Sequence, residues 1–343
     1  MNPELFEIER PNIEQLNPSI IPLQTAPFPE NIPIDSPLIL NPPFDRIEKS
    51  MRMSLGVGYN LFDGEELLES SIRSIRESVD YIVVVYQTVS NFGNPCSAEL
   101  VPTLEDLLKR GLINELVHYQ PRIFTPAEKR EIVSQYTYVV PGGRAELVSD
   151  QFVNESVKRE IGRLKALDSG CTHFMTMDSD EYYIREELER AKQIIWDNRY
   201  EGSYCKMRFF FKKPIYEMLP LEENNYVPFI YELHPNRKFA VGHYSIVTTD
   251  PTRNMRNTRK VRVFERNEVE MYHMSFVRKD IRKKITNTSN RNNHAIGEEF
   301  EKFVRDFNEW TPDRELIHSH SYFKNHFKTV RIVENQFNIP MNF

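Results

Sequence analysis

The chain has 343 residues, a formal net charge of −6 and an apolar fraction of 40%, which suits one large α/β domain or two ordinary ones around a core. The acidic balance gives no reason to expect a nucleic-acid partner, since general binding of that kind depends on excess Lys and Arg facing phosphates. No apolar run approaches the ~20 residues that cross a bilayer, so no membrane span is expected.

Residues 1–48 contain ten of the 22 prolines and show no periodicity. Phe6, Leu16, Ile20, Ile21, Phe28 and Leu38 make this stretch too apolar for a solvated linker. It reads as an extended Pro-rich arm packed along the main domain or a partner subunit, which makes a homo-oligomer through the arm an expectation. From Met53 the pattern alternates. Met53–Tyr59 suits a strand, and Glu65–Val79 a helix with Leu67, Leu68, Ile72, Ile75 and Val79 on one face. Tyr81–Tyr86 is a β-branched run of the kind buried on both faces. A short helix near Leu104–Arg110 and a strand at Glu115–Tyr119 continue the alternation, which predicts a parallel sheet with right-handed crossovers.

Phe152–Asp168 places Val153, Val157, Ile161, Leu164 and Leu167 at helical spacing, predicting an amphipathic helix with these residues toward the core. Gly170 is its stop signal, and Thr172–Met177 is the next strand. Further on come a helix around Glu186–Asp197, strands at Tyr204–Phe211, Pro228–Leu233, Lys260–Phe264 and Val269–Met274, and a helical C-terminal region. Cys96, Cys171 and Cys205 are odd in number and lack metal-ligand spacing, and the N-terminus lacks the regions of a signal peptide. Reduced thiols and a cytoplasmic location are therefore expected.

Chemistry concentrates where the Thr172–Met177 strand breaks into Asp178-Ser179-Asp180-Glu181. Carboxylates at i and i+2 on extended chain project to one side, so Asp178 and Asp180 can hold one hard divalent cation. The end of a buried parallel strand is also where open α/β sheets bind ligands. The same residues can instead cap a helix or form a solvated turn. Here the preceding helix carries Lys158, Arg159, Arg163 and Lys165, and a basic run, Arg278-Lys279-Asp280-Ile281-Arg282-Lys283-Lys284, follows His273. A second basic loop, Arg253 to Arg262, reads as solvated surface. His318, His320 and His326 do not make a second metal site, because histidines at i and i+2 on a helix face apart.

With these motifs in place, residues from about Met53 to Asn287 resemble a GT-A-type glycosyltransferase of the family 2-like kind. The likeness rests on the strand ending in Tyr59-Asn60, the strand Tyr81–Tyr86, the block Lys158-Arg159-Glu160-Ile161-Gly162-Arg163 leading into Met177-Asp178-Ser179-Asp180-Glu181, and Tyr272-His273-Met274. It implies a Rossmann-like, mainly parallel sheet flanked by helices, with the arm at 1–48, a catalytic domain at 49–287 and a helical extension at 288–343 packed on it. It also implies Mn²⁺ or Mg²⁺ held by Asp178, Asp180 and His273 on the diphosphate of a nucleotide-sugar donor. Tyr59, Asn60, Tyr86, Gln87 and Ser90 would face the nucleotide, with Arg159, Arg163, Arg278, Lys279 and Lys283 near its phosphates. Family 2-like enzymes usually carry an acidic residue after the second strand, where this chain has Gln87. UDP is thus favoured only as the common nucleotide. An inverting transfer to a glycan, protein or lipid hydroxyl needs a carboxylate base, for which Glu232 and Glu181 are the candidates. Two other classes remain: a nucleotidyltransferase, although Asn60–Gly64 is no Gly-rich phosphate loop, and a noncatalytic nucleotide- or glycan-binding assembly protein.

Overall fold

The structure, a computed structural model, describes residues 52–136, 148–224, 226–239, 250–255, 258–288, 297–316 and 327–341. The chain divides into two units, Met1–Lys49 and Ser50–Phe343, and every described residue belongs to the second. The expected arm, any oligomer contact through it, and His318, His320 and His326 lie outside the described residues.

Strands β1 (Leu55–Leu61), β2 (Tyr81–Tyr86), β3 (Glu115–His118) and β4 (His173–Asp178) form a parallel block in the spatial order β3-β2-β1-β4. Their apolar runs are continuous because this block is covered on both faces. Val57, Tyr59, Ile82, Val84, Met175 and Met177 are no more than 1% exposed. Helix α1 (Glu65–Ile75) buries Leu67, Leu68, Ile72 and Ile75, as its periodicity predicts. It ends in a 3-10 turn at Arg76–Ser78. Helix α2 (Leu100–Lys109) leads into β3, and α3 (Pro126–Tyr136), which has no clear apolar face in the sequence, precedes α4 (Asp150–Asp168).

Helix α4 departs from expectation in an instructive way. The stripe expected to face the core is only partly covered, and Leu164 is 40% exposed. The face turned inward instead carries Lys158, Arg159, Glu160, Gly162, Arg163 and Ala166, all buried. Two glycines make the approach possible. A Cβ on Gly58 of β1 would lie 2.8 Å from the Phe174 ring and 3.3 Å from Gly162 Cα, so helix and strand touch almost backbone to backbone. The polar groups brought in with them find partners: Arg163 donates to Glu160 at 2.6 and 2.9 Å, and Arg159 to Thr176 Oγ1 at 2.8 Å.

Beyond β4 the sheet becomes mixed. β8 (Tyr226–Glu232) lies antiparallel to β4, and β6 (Gly202–Phe211) antiparallel to β8. β10 (Glu270–Phe276) runs parallel to β6 and pairs antiparallel with the short β5 (Glu181–Tyr182). Helix α5 (Arg185–Asn198) joins β5 to β6, and β9 (Val261–Val263) pairs with β6. The C-terminal region contains α6 (Ile281–Asn287) and α7 (Glu298–Glu309), but also a strand. β11 (Thr329–Ile332) pairs antiparallel with β7 (Tyr216–Leu219). Phe300, Phe303, Phe307 and Trp310 pack against Phe211, Met218 and Ile285, which ties this region to the sheet. All three cysteines are free thiols, and no described helix is long and apolar enough to cross a membrane.

Candidate functional site

Register brings the site together. Asn60, near the end of β1, pairs with Asp178, the last residue of β4. The backbone N–H of Gln87 donates to Leu61 O at 2.9 Å, which places Gln87 just past the end of β2. The C-terminal edge of the parallel block thus collects Asn60, Gln87 and Asp178, where ligands of such sheets bind. After Asp178 the chain turns, and Met274 N donates to Asp180 O at 2.7 Å. Glu181 pairs with His273 across β5 and β10. This local antiparallel ladder is what seats a residue nearly a hundred positions away beside the acidic turn.

The turn separates the two aspartates that an extended chain would align. Asp178 keeps 34% of its side-chain surface, while Asp180 is 1% exposed. Asp178 accepts from Arg253 Nη2 at 2.8 Å, and Arg159 Nη2 stands 3.8 Å away. Asp180 accepts through Oδ2 from Arg278 and from Lys284 at 3.0 Å. Burial pushes its carboxyl upward, but Lys284 and Arg278 outweigh that and hold it far below the usual carboxylate range. Glu181 is also 1% exposed. Its oxygens accept from Arg253 at 2.5 and 2.7 Å, and one takes the Asp178 N–H at 3.0 Å. Burial raises its carboxyl above the ordinary value against the pull of Arg253.

Arg253, read from the sequence as part of a solvated loop, is one of the most committed side chains described. It is 3% exposed and bonds Asp178, Glu181 and Asp250. Asp250 also accepts from Arg159 at 3.1 Å. Sequence spacing cannot reveal this network, because Arg253 meets residues more than seventy positions earlier. Lys284 belongs to the basic run, and it is the residue one turn beyond Asp280, the α6 N-cap, whose carboxylate accepts from Lys283 N at 3.0 Å.

A recess of about 170 Å³ opens among these groups, lined by Asn60, Gln87, Ser90, Lys158, Asp178, Asp180, Arg278 and Lys284. Lys158 is 6% exposed and donates to Gln87 Oε1, and burial pushes its ammonium pKa down. The Gln87 amide is completed by bonds to Val89 O at 3.2 Å and Asn91 Oδ1 at 3.1 Å. Asn60 Nδ2 and the Nε and Nη1 of Arg278 are buried without a hydrogen-bond partner among the described residues. Such donors lining a polar recess suit a ligand rich in acceptor oxygens.

Other expected residues go elsewhere. Tyr59 is fully buried, its hydroxyl 3.0 Å from Ser71 Oγ, and burial pushes its pKa up. Tyr86 stacks obliquely on His118 with ring centroids 5.2 Å apart. Arg163 is spent on Glu160, one helical turn beyond Arg159. Lys279 and Lys283 line a neighbouring cavity of about 400 Å³ with Asp63, Glu65 and Glu66, and Lys283 pairs with Asp63 at 3.0 Å. Glu232 pairs in register with His173, at the opposite end of β4. Five residues of strand put it roughly 16 Å from Asp178, and it pairs with Arg237 at 2.9 Å. The structure does not bring Glu232 to the cluster.

The donor set at the turn suits a divalent cation. Asp180 Oδ1 and His273 Nε2 face each other at 3.8 Å, close enough to be ligands of one ion, and Glu181 lies in the same group. His273 Nδ1 is buried without a partner among the described residues. Desolvation pushes the imidazole pKa down to about 4, so near neutral pH it is the uncharged form that can ligate a metal.

Fold and site together define an α/β protein with a charged, oxygen-seeking recess at the C-terminal edge of its parallel strands. No family model matches the chain, and no curated protein matches it in sequence. Among solved structures it is similar to residues 1–349 of S. aureus TarS, at 13% identity over 75% of this chain and 72% of that one, with a TM-score of 0.36. The same TarS fragment in complex with UDP-GlcNAc gives 12% identity, 75% and 73% coverage, and a TM-score of 0.36. A mannose-1-phosphate geranyltransferase from Thermus thermophilus gives 11% identity, 53% and 50% coverage, and a TM-score of 0.25.

Proposed function

We propose that the protein is a nucleotide-sugar-dependent glycosyltransferase acting on a hydroxyl acceptor. The observation that carries this reading is the recess itself, which Asn60, Gln87 and Lys158 line together with Asp178, Asp180, Arg278 and Lys284. In the reaction the bond between the sugar C1 and the diphosphate oxygen breaks and a bond from C1 to the acceptor oxygen forms. The acceptor proton passes to a base, and nucleoside diphosphate leaves. Arg278 and Lys284, which line the recess, would stabilise the growing negative charge of that leaving group. Asp180 and His273, with Glu181 from the same cluster or Asp178 from the end of β4, would hold Mn²⁺ or Mg²⁺, which would supply Lewis-acid stabilisation of the diphosphate. Asn60 and the Gln87–Lys158 pair would meet the nucleoside, with UDP the favoured nucleotide and an inverted anomeric centre in the product.

The test is a panel of nucleotide sugars incubated with Mn²⁺, with Mg²⁺ and with chelator. Release of nucleoside diphosphate from one donor, abolished by chelator, is the expected result. Release of pyrophosphate in a parallel incubation with nucleoside triphosphates and sugar 1-phosphates would instead reveal nucleotidyl transfer, and tight nucleotide binding with no turnover across acceptors would identify a binding protein.

A further inference from the structure

Asp180 lies under two cations. Its Oδ2 accepts from Arg278 and from Lys284 at 3.0 Å, while Oδ1 faces His273. Beside it, Asp178 and Glu181 are held by Arg253. With Asp250 and Arg159, which belong to the same network, four carboxylates are thus matched by four side-chain cations. A divalent ion arriving alone would gain no net negative charge and would meet the ammonium and guanidinium at close range. A diphosphate alters that balance, because its oxygens enter the recess that Arg278 and Lys284 line and draw charge-assisted hydrogen bonds from them. Of the two, Lys284 has room to move. Its side chain is 24% exposed against 4% for Arg278. Arg278 is wedged against Gly64, where a Cβ would lie 2.0 Å from Nη1.

On the reading that the protein uses a nucleotide sugar with a divalent metal, we infer that Lys284 sets the order of loading. It holds Asp180 in the absence of diphosphate, and the ion is taken up only together with the diphosphate that draws Lys284 away. The two ligands then raise one another's affinity by the same factor, as linkage requires.

Equilibrium dialysis of the full chain against Mn²⁺, with free ion read by its paramagnetic resonance, tests this with and without UDP. Wild type should bind Mn²⁺ weakly alone and about tenfold or more tightly with UDP, and Lys284→Met should raise the affinity for Mn²⁺ alone by about tenfold or more. Lys284→Arg, which keeps the charge, should behave as wild type; circular dichroism checks that each variant is folded. Equal Mn²⁺ affinity of wild type with and without UDP, or a folded Lys284→Met that binds Mn²⁺ alone no better than wild type, overturns the inference and leaves the proposed function standing. UDP binding with no Mn²⁺ uptake by any of the proteins overturns the metal assignment and the inference together.

Discussion

At the scale of single residues, Asp178 and Asp180 are two positions apart and live in different environments. Asp178 is half-buried and reaches the recess, whereas Asp180 is buried beneath Arg278 and Lys284. Asp178→Asn should therefore lower turnover by about 10²-fold or more with little change in melting temperature, since it removes a carboxylate that would hold the metal stabilising the leaving diphosphate. Asp180→Asn should lose both. Leaving buried Arg278 without its anion costs about 3–5 kcal/mol, and a denaturation midpoint equal to that of wild type would refute the buried pairing. His173 supplies a pH signature far from the recess. Burial and then the charge of Arg237 push its pKa down to about 3, against about 6.5 in an unfolded chain. Between those values the unfolded chain binds more protons than the folded one. The stability is thus present above pH 6.5 and lost progressively as pH falls toward 3. Urea midpoints compared at pH 7 and pH 4 should fall more for wild type than for His173→Phe, and parallel losses would show that His173 is not responsible.

At the scale of elements, α4 shows how a helix can turn its charged side inward. Arg159 is 1% exposed and meets Thr176, Asp250, Glu155 and Thr252, while Leu164 looks toward solvent. The cost of desolvating Arg159 is offset only because each nitrogen is bonded. Arg159→Met should therefore destabilise by about 3–5 kcal/mol, and Leu164→Gln should stay within about 0.5 kcal/mol. Denaturant titration of the two variants settles which face of α4 is structural; the reverse ranking would restore the amphipathic reading. The ladder between β5 and β10 plays a comparable part, since a slip of one residue would turn His273 away from Glu181 and put Tyr272 in its place.

At the scale of the whole molecule, the C-terminal segment supports the site from behind. Phe337 packs on Tyr182 with ring centroids 4.9 Å apart and on Tyr272 at 5.1 Å. Ile339 is 1% exposed in the same cluster. Tyr182 follows Glu181 directly, and Tyr272 precedes His273, so this cluster backs both halves of the acidic turn. Ile339→Ala should cost about 2–4 kcal/mol and also weaken nucleotide binding. Calorimetry of UDP binding on the folded variant measures the second effect, and unaltered affinity beside the lost stability would separate the cluster from the site.

Much of this architecture was legible in the amino-acid order. The continuous β-branched run of Tyr81–Tyr86 and the spacing of Leu67, Leu68, Ile72 and Ile75 define β2 and α1, because burial on two faces or on one stripe leaves a local period. The acidic turn after Met177 was legible for the same reason, as an abrupt change from apolar strand to carboxylates. What the order of residues did not reveal was the charge balance of the site. Arg253 looked like solvated surface, Lys284 like one cation among several, and α4 like a helix with Val157, Ile161 and Leu164 inside. Each was decided by partners distant in sequence: Asp178 and Glu181 for Arg253, Asp180 for Lys284, and Gly58 with Phe174 for the face of α4. Local hydrophobic spacing fixes which segments become helices and strands, but whether a buried charge is tolerable depends on an opposite charge that only the tertiary fold delivers.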